Sequence, residues 1–188
     1  MSIVGKLLAN RRAGDQGLAW HRPNLVGADT FQMTSPDFDH ESSLGTIHAG
    51  KRVGGQDRSP ALTWSPPPAQ TAQLLLVIED PDAPTKTPFV HAVALLDPTV
   101  DGIPQGALAA DDPVPGVRVL RSGWGRGYLG PTPIKGHGAH RYVFQLFALT
   151  EPITAAGGKP VESAKPHAIL DAGRSLGRAR IDAFYERP

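Results

Sequence analysis

Two aspartates locked beside prolines, a histidine on the next apolar run and a later His-Arg-Tyr cluster are the residues best suited to chemistry in this chain. The aspartates lie in Asp80-Pro81-Asp82-Ala83-Pro84, which closes the apolar run Val77-Ile78-Glu79; the histidine is His91, and the cluster is His140-Arg141-Tyr142. Proline fixes φ, so this turn holds its carboxylates in set directions on the rim of a sheet. Carboxylates, imidazoles and a phenol brought to one rim would form a compact pocket for a small polar or phosphorylated group. A second chemistry uses the same residues: Asp80, His91 and His140 are a candidate metal-ligand set whose bound water could hydrolyse an ester. Against it, the chain has neither His-x-His nor His-Glu-x-x-His, and Ser122-Gly123 has no general base beside it in sequence. No catalytic residue, metal or cofactor is assigned.

Each residue also has a plainer role. Asp80 and Asp82 can cap their own turn, as aspartate does in Asx turns. Taken alone, His91 on an apolar strand reads as a core histidine. Arg141 reads as an ion-pair partner for a buried carboxylate, Trp64 as core, and His21, His40, His48, His137 and His167 as surface or loop residues.

Three apolar runs must position the candidates: Gln73 to Glu79, Phe89 to Leu96 and Arg141 to Leu149. Each has strand length and too little alternation for a face in water, which predicts strands buried on both sides. Shorter strands are predicted at 31–34 and at Leu62-Thr63-Trp64, the latter closed by the rigid connector Pro66-Pro67-Pro68. Arg121 to Gly138 reads as a Gly- and Pro-rich loop. Pro166 to Leu176 suits one helix, weakened by Gly173, and the alternation after Gly177 suits a half-buried closing strand. With 21 glycines and 19 prolines in 188 residues, short elements are favoured over long helices. A formal net charge of +1 argues against a general nucleic-acid binder. The absence of cysteine removes disulfides and thiolate sites. Met1 to Arg12 has its basic residues after the apolar ones, unlike a secretory signal, and is expected to form a short amphipathic helix docked on the body. Cytoplasm is the default compartment.

Four blocks in order resemble the phosphatidylethanolamine-binding protein family, which includes the Raf kinase inhibitor proteins. They are Ser59-Pro60-Ala61-Leu62-Thr63-Trp64, Asp80-Pro81-Asp82-Ala83-Pro84 followed by His91, Gly127-Tyr128-Leu129-Gly130-Pro131, and His140-Arg141-Tyr142-Val143-Phe144. Phe89 and Ala92 stand where the family often has tryptophan, and Ile134 and Lys135 interrupt a common proline pair. The resemblance implies a mainly β, sandwich-like fold with a large central antiparallel sheet, a smaller sheet and a C-terminal helix. Residues 1–24 would be an N-terminal extension and 25–188 a single domain. The implied pocket has Asp80, His91, His140 and Tyr142 as polar lining and Pro84 and Phe89 as walls, with Gly130 in a loop offering backbone N–H groups and Asp82 and Arg141 as supports. An anion beside Asp80 requires that carboxylate to orient a histidine, meet an ammonium group or carry a proton. The implied function is non-catalytic binding of a small phosphorylated group or phospholipid headgroup, serving to regulate partner proteins. Ligand-independent inhibition of a kinase or serine protease is the alternative, and metal-assisted hydrolysis a third. Nucleic acid is not an expected partner; membrane contact would be peripheral at most, and a homodimer is compatible with the sequence.

Overall fold

The computed structural model describes residues 7–8, 10–112 and 114–187. The helix expected over Met1–Arg12 lies largely outside them. In chain order the first strands are β1 (Met33–Thr34), β2 (Ser42–Ser43), β3 (Leu62–Trp64), β4 (Gln73–Asp80), β5 (Phe89–Leu96), β6 (Gly102–Ile103) and β7 (Val117–Val119). There follow β8 (Arg121–Ser122), β9 (Gly125–Arg126), β10 (His140–Leu149), β11 (Ala155–Ala156), β12 (Lys159–Pro160) and β13 (Ser175–Tyr185). The large sheet has the order β2-β13-β10-β4-β5-β7 and the small one β1-β3-β6. All pairs in the large sheet are antiparallel except β13 with the edge strand β2, so the sheet is mixed at one edge.

The central strands are mostly apolar because both faces of the large sheet are covered. Leu74, Leu76 and Ile78 of β4 share one core with Met33, Leu62 and Trp64 of the small sheet. Leu75 and Val77, on the opposite face, join Ile169 and Leu170 of the helix Pro166–Ala172 and Ala19 and Leu25 of the N-terminal region. Each fully buried aliphatic side chain contributes about 1.5–3 kcal/mol. These two layers therefore anchor β4, β5 and β10 firmly enough to carry polar side chains at one end. The helix is shorter than the sequence pattern suggests. It stops at Ala172, and Gly173 is extended at φ −65°, ψ 153°, where a Cβ would lie 3.0 Å from Leu25 Cδ2. The loop expected from Arg121 to Gly138 contains the β8–β9 hairpin. No helix among the described residues is long and apolar enough to cross a membrane.

Residues on both sides of the expected 24/25 boundary pack on the sheet: Leu18, Ala19 and Leu25 are all fully buried. Two side chains on that face of the sheet receive the incoming chain. Glu79 Oε2 accepts the N–H of Ala19 at 2.7 Å and the side-chain amide of Gln145 at 2.9 Å, while Gln145 Oε1 accepts the N–H of Trp20 at 2.7 Å. The guanidinium of Arg178 then stacks 3.9 Å above the Trp20 ring. Burial pushes the pKa of Glu79 up, against the opposing pull of the Ala19 N–H, Gln145 and Arg22. Its other oxygen, Oε1, has no partner among the described residues.

A carboxyl whose folded pKa is raised contributes stability that is complete below its unfolded value and is lost as pH rises through the raised one. In Glu79→Gln, one amide oxygen can keep both accepted bonds with no charge to bury. The variant is expected to melt above the wild type at neutral pH and to lose that advantage in acid. Thermal denaturation of both across pH tests this; an equal difference at acid and neutral pH would refute it.

Candidate functional site

The candidate residues meet on one face of the large sheet, at one end. Asp80 lies on the Leu74–Leu76–Ile78 side of β4, and His140 and Tyr142 lie on the matching side of β10. His91 reaches that face through a β-bulge. Ile78 pairs with Ala92 and Glu79 with Val90, so His91 is the extra residue on β5. Val90 faces the helix layer and Ala92 the small sheet, which shows where the alternation skips. The bulge aims the imidazole into the cavity, a known use of bulges near binding sites.

Asp80 holds the turn, a role the sequence gave to Asp82 while placing Asp80 on the ligand side. Its Oδ1 accepts the N–H groups of Asp82 at 2.7 Å and Ala83 at 3.0 Å, and its Oδ2 accepts from His140 Nδ1 at 2.7 Å. Asp82 instead ties the turn to its neighbours. Its carboxylate accepts the Arg141 N–H at 2.7 Å and pairs with Arg12 at 2.8 Å. The Arg141 guanidinium points to the far side, where it pairs with Asp15 and lies 3.9 Å from the buried carboxylate of Asp182.

His91 donates from Nδ1 to the Leu129 carbonyl at 2.5 Å, leaving Nε2 buried without a partner among the described residues and 4.0 Å from Asp80 Oδ2. Burial lowers its pKa, opposed by Asp80 and by the Leu129 carbonyl, so the ring is neutral and Nε2 is an acceptor. Tyr142 stands edge-on to it, with ring centroids 5.0 Å apart. Burial first, then Asp80, pushes the phenol well above its ordinary pKa, which keeps Tyr142 a donor. Pro84, Phe89, Leu129 and Ile134 supply apolar walls to a cavity of about 420 Å³, with Lys51 and Arg52 on its lining. Trp124, 77% exposed at the tip of the β8–β9 hairpin, meets Phe89 edge-on at 4.8 Å.

Three sequence expectations need correction. Gly130 lines the cavity, but the loop before it offers no N–H to a ligand. The N–H groups of Gly127, Tyr128, Leu129 and Gly130 go to Leu120 O, Leu108 O, His91 O and Asp57 Oδ1, because the loop is itself hydrogen-bonded onto the walls. His140 cannot reach a ligand through nitrogen, since its Nε2 meets His137 Nδ1 at 2.7 Å while Nδ1 is on Asp80. His137 and His48 are buried rather than on the surface. The His137-Gly138-Ala139-His140 spacing, two imidazoles just before an apolar strand, was the signal for His137. One further pattern, Gly173-Arg174-Ser175-Leu176-Gly177, fits Gly-x-Ser-x-Gly. It is no nucleophile elbow, because Ser175 opens β13 and donates Oγ to the Gly177 carbonyl at 2.8 Å.

Two packed sheets with a small, mostly apolar cavity at the end of the larger one define a β-sandwich with one candidate binding cavity at the sheet end. The polar groups in that cavity come from the Asp-Pro-Asp-Ala-Pro turn, the bulge histidine and the His-Arg-Tyr strand. The chain belongs to the phosphatidylethanolamine-binding protein family, whose model matches residues 34–186. It is 38% identical over 169 residues to a UPF0098 protein of Aquifex aeolicus, covering 86% of this chain and 92% of that one. It is 33% identical over 164 residues to phomoidride biosynthesis cluster protein B of a fungal species, covering 82% and 78%. Among solved structures, E. coli YbcL, a member of the mammalian PEBP family, matches with a TM-score of 0.71 at 31% identity, covering 83% of this chain and 98% of that one.

The cavity floor rests on a close crossing of two backbones. A Cβ on Gly130 would lie 2.5 Å from the His48 carbonyl oxygen and 2.6 Å from the Gly50 nitrogen. Gly130→Ala must push these segments apart and is expected to cost about 1–3 kcal/mol of stability. Chemical denaturation measures it, and an unchanged midpoint would show that the crossing yields freely.

Proposed function

We propose that this protein is a non-catalytic binder of small phosphorylated groups, free or as phospholipid headgroups, that regulates partner proteins through the occupied site. The observation that carries the reading is the buried Nε2 of His91, without a partner among the described residues, beside the Tyr142 phenol in an apolar-walled cavity. One is an acceptor and the other a donor. A phosphate monoester in its monoanionic form offers the complement: P–O⁻ accepts from the tyrosine, and P–OH donates to the histidine. Lys51 and Arg52 on the lining add positive charge for the same anion. Catalysis and a metal are disfavoured by how the candidate ligands are used. Both His140 nitrogens and both Asp80 oxygens are already hydrogen-bonded, which leaves one imidazole nitrogen of the proposed metal set.

A second reading draws on Trp124, exposed at the cavity mouth: a partner protein, of the kinase or serine protease kind the family resemblance suggests, would dock over the lip. Comparing Trp124→Ala with His91→Ala separates the two. Partner binding lost only with Trp124 would make it independent of the ligand.

Titration with inorganic phosphate and with O-phosphorylethanolamine, followed by NMR, is expected to shift the His91 and Tyr142 signals. His91→Ala and Tyr142→Phe should each weaken binding roughly tenfold or more, as expected for one hydrogen bond to a charged group. Silence of both residues at millimolar ligand would overturn the assignment.

A further inference from the structure

Beyond the pocket itself lies a chain of hydrogen bonds that ends on the N-terminal segment. Asp80 Oδ2 meets His140 Nδ1 at 2.7 Å, His140 Nε2 meets His137 Nδ1 at 2.7 Å, and His137 Nε2 meets the Leu8 carbonyl at 2.7 Å and that of Arg11 at 3.3 Å. Both rings and the carboxylate are buried. We propose that His137, capped by the Leu8 carbonyl, is a positioning residue that sets the charge of the cavity wall and so admits an anion. The inference rests on the anion-binding reading above and adds its regulation.

The argument is a proton count. A carbonyl only accepts, so His137 Nε2 must carry a hydrogen. The next two links need one hydrogen each, making three for the three bonds. Two neutral imidazoles and a carboxylate hold only two; with two, one of the three contacts would set lone pair against lone pair. The group therefore holds one extra proton and has no net charge. Imidazole is the stronger base, so the proton sits on the ring pair and Asp80 is a carboxylate. This answers the objection that Asp80 should repel a phosphate. Without the Leu8 cap, His137 could turn its Nδ1–H toward His140, two protons would suffice, and the wall would carry −1.

The other charged or titratable groups around the chain are His91 on β5, Tyr142 and Arg141 on β10, Tyr185 of β13 paired with His140, and Asp82 with Arg12 beside the turn. Arg12 is half of the clasp that seats the N-terminal segment. The rest is the Ala13 N–H on Ala83 O at 2.9 Å and the Gly14 N–H on Pro81 O at 2.9 Å. Raising the pH removes the shared proton and turns the wall anionic, so phosphate affinity falls. By linkage, phosphate binding strengthens the seating of the segment.

The test uses the full chain. Imidazole ¹⁵N spectra of the unliganded protein near neutral pH should count three ring N–H protons on His137 and His140 together; two would overturn the proposal. With inorganic phosphate as probe, His137→Phe should bind about tenfold more weakly than wild type near pH 6.5, and the ratio should shrink toward one at alkaline pH. Using the ratio cancels the titration of phosphate itself. His137→Gln can donate to Leu8 O and accept from His140, and should restore binding. Equal phosphate affinity for wild type and His137→Phe across pH would overturn the proposal even if both fold. Phosphate failing to bind the wild type would instead overturn the binding reading, and the ring-proton count would then decide the proton chain alone.

Discussion

The carboxylate of Asp80 is the joint on which the site depends. It ends a strand buried from Leu74 onward, closes the following turn through two backbone N–H groups, and fixes the first imidazole of β10. Two of these bonds come from the turn and one from β10, and all converge on the two oxygens of one buried carboxylate. A buried carboxylate is tolerated only when hydrogen-bonded and paired. That requirement is what draws the turn, the bulged strand and the His-Arg-Tyr strand into one geometry. The cavity is the space left beside this joint rather than a groove built separately.

Much of the scaffold was legible in the letters. Gln73–Asp80, Phe89–Leu96 and His140–Leu149 announce themselves as strands because long apolar runs have little else to do in a chain so rich in glycine and proline. The pairing of distant blocks came from family resemblance, and the family match over residues 34–186 supports it. What stayed hidden was atomic. No pattern shows that Asp80 rather than Asp82 holds the turn, because both lie beside prolines and differ only in which backbone N–H they face. No pattern shows that the loop N–H groups are consumed, since that depends on Leu108, Leu120 and Asp57 folding against it. His137 was misplaced because a histidine among glycines looks like a loop residue until its neighbours across the chain are known.

The N-terminal region follows the same logic at the opposite face. Residues before 34 fall outside the stretch matched to the family, yet Ala19 and Leu25 complete the second core, and Glu79 and Gln145 offer side-chain acceptors to their backbone. The sheet thus keeps one polar pair on each face of the same strand end: Asp80 and His140 toward the cavity, Glu79 and Gln145 toward the incoming chain. Adjacent residues on a strand point to opposite sides, so one short sequence, Glu79-Asp80, serves both.

The bulge at His91 has an evolutionary consequence. An inserted residue breaks the regular ladder between β4 and β5, a local cost that a purely structural sheet would have no reason to keep. Deleting it would heal the ladder while removing the imidazole from the cavity. Selection for stability alone would therefore erase this feature. Its presence marks a compromise in which a slightly imperfect sheet is the condition for placing an imidazole in the cavity.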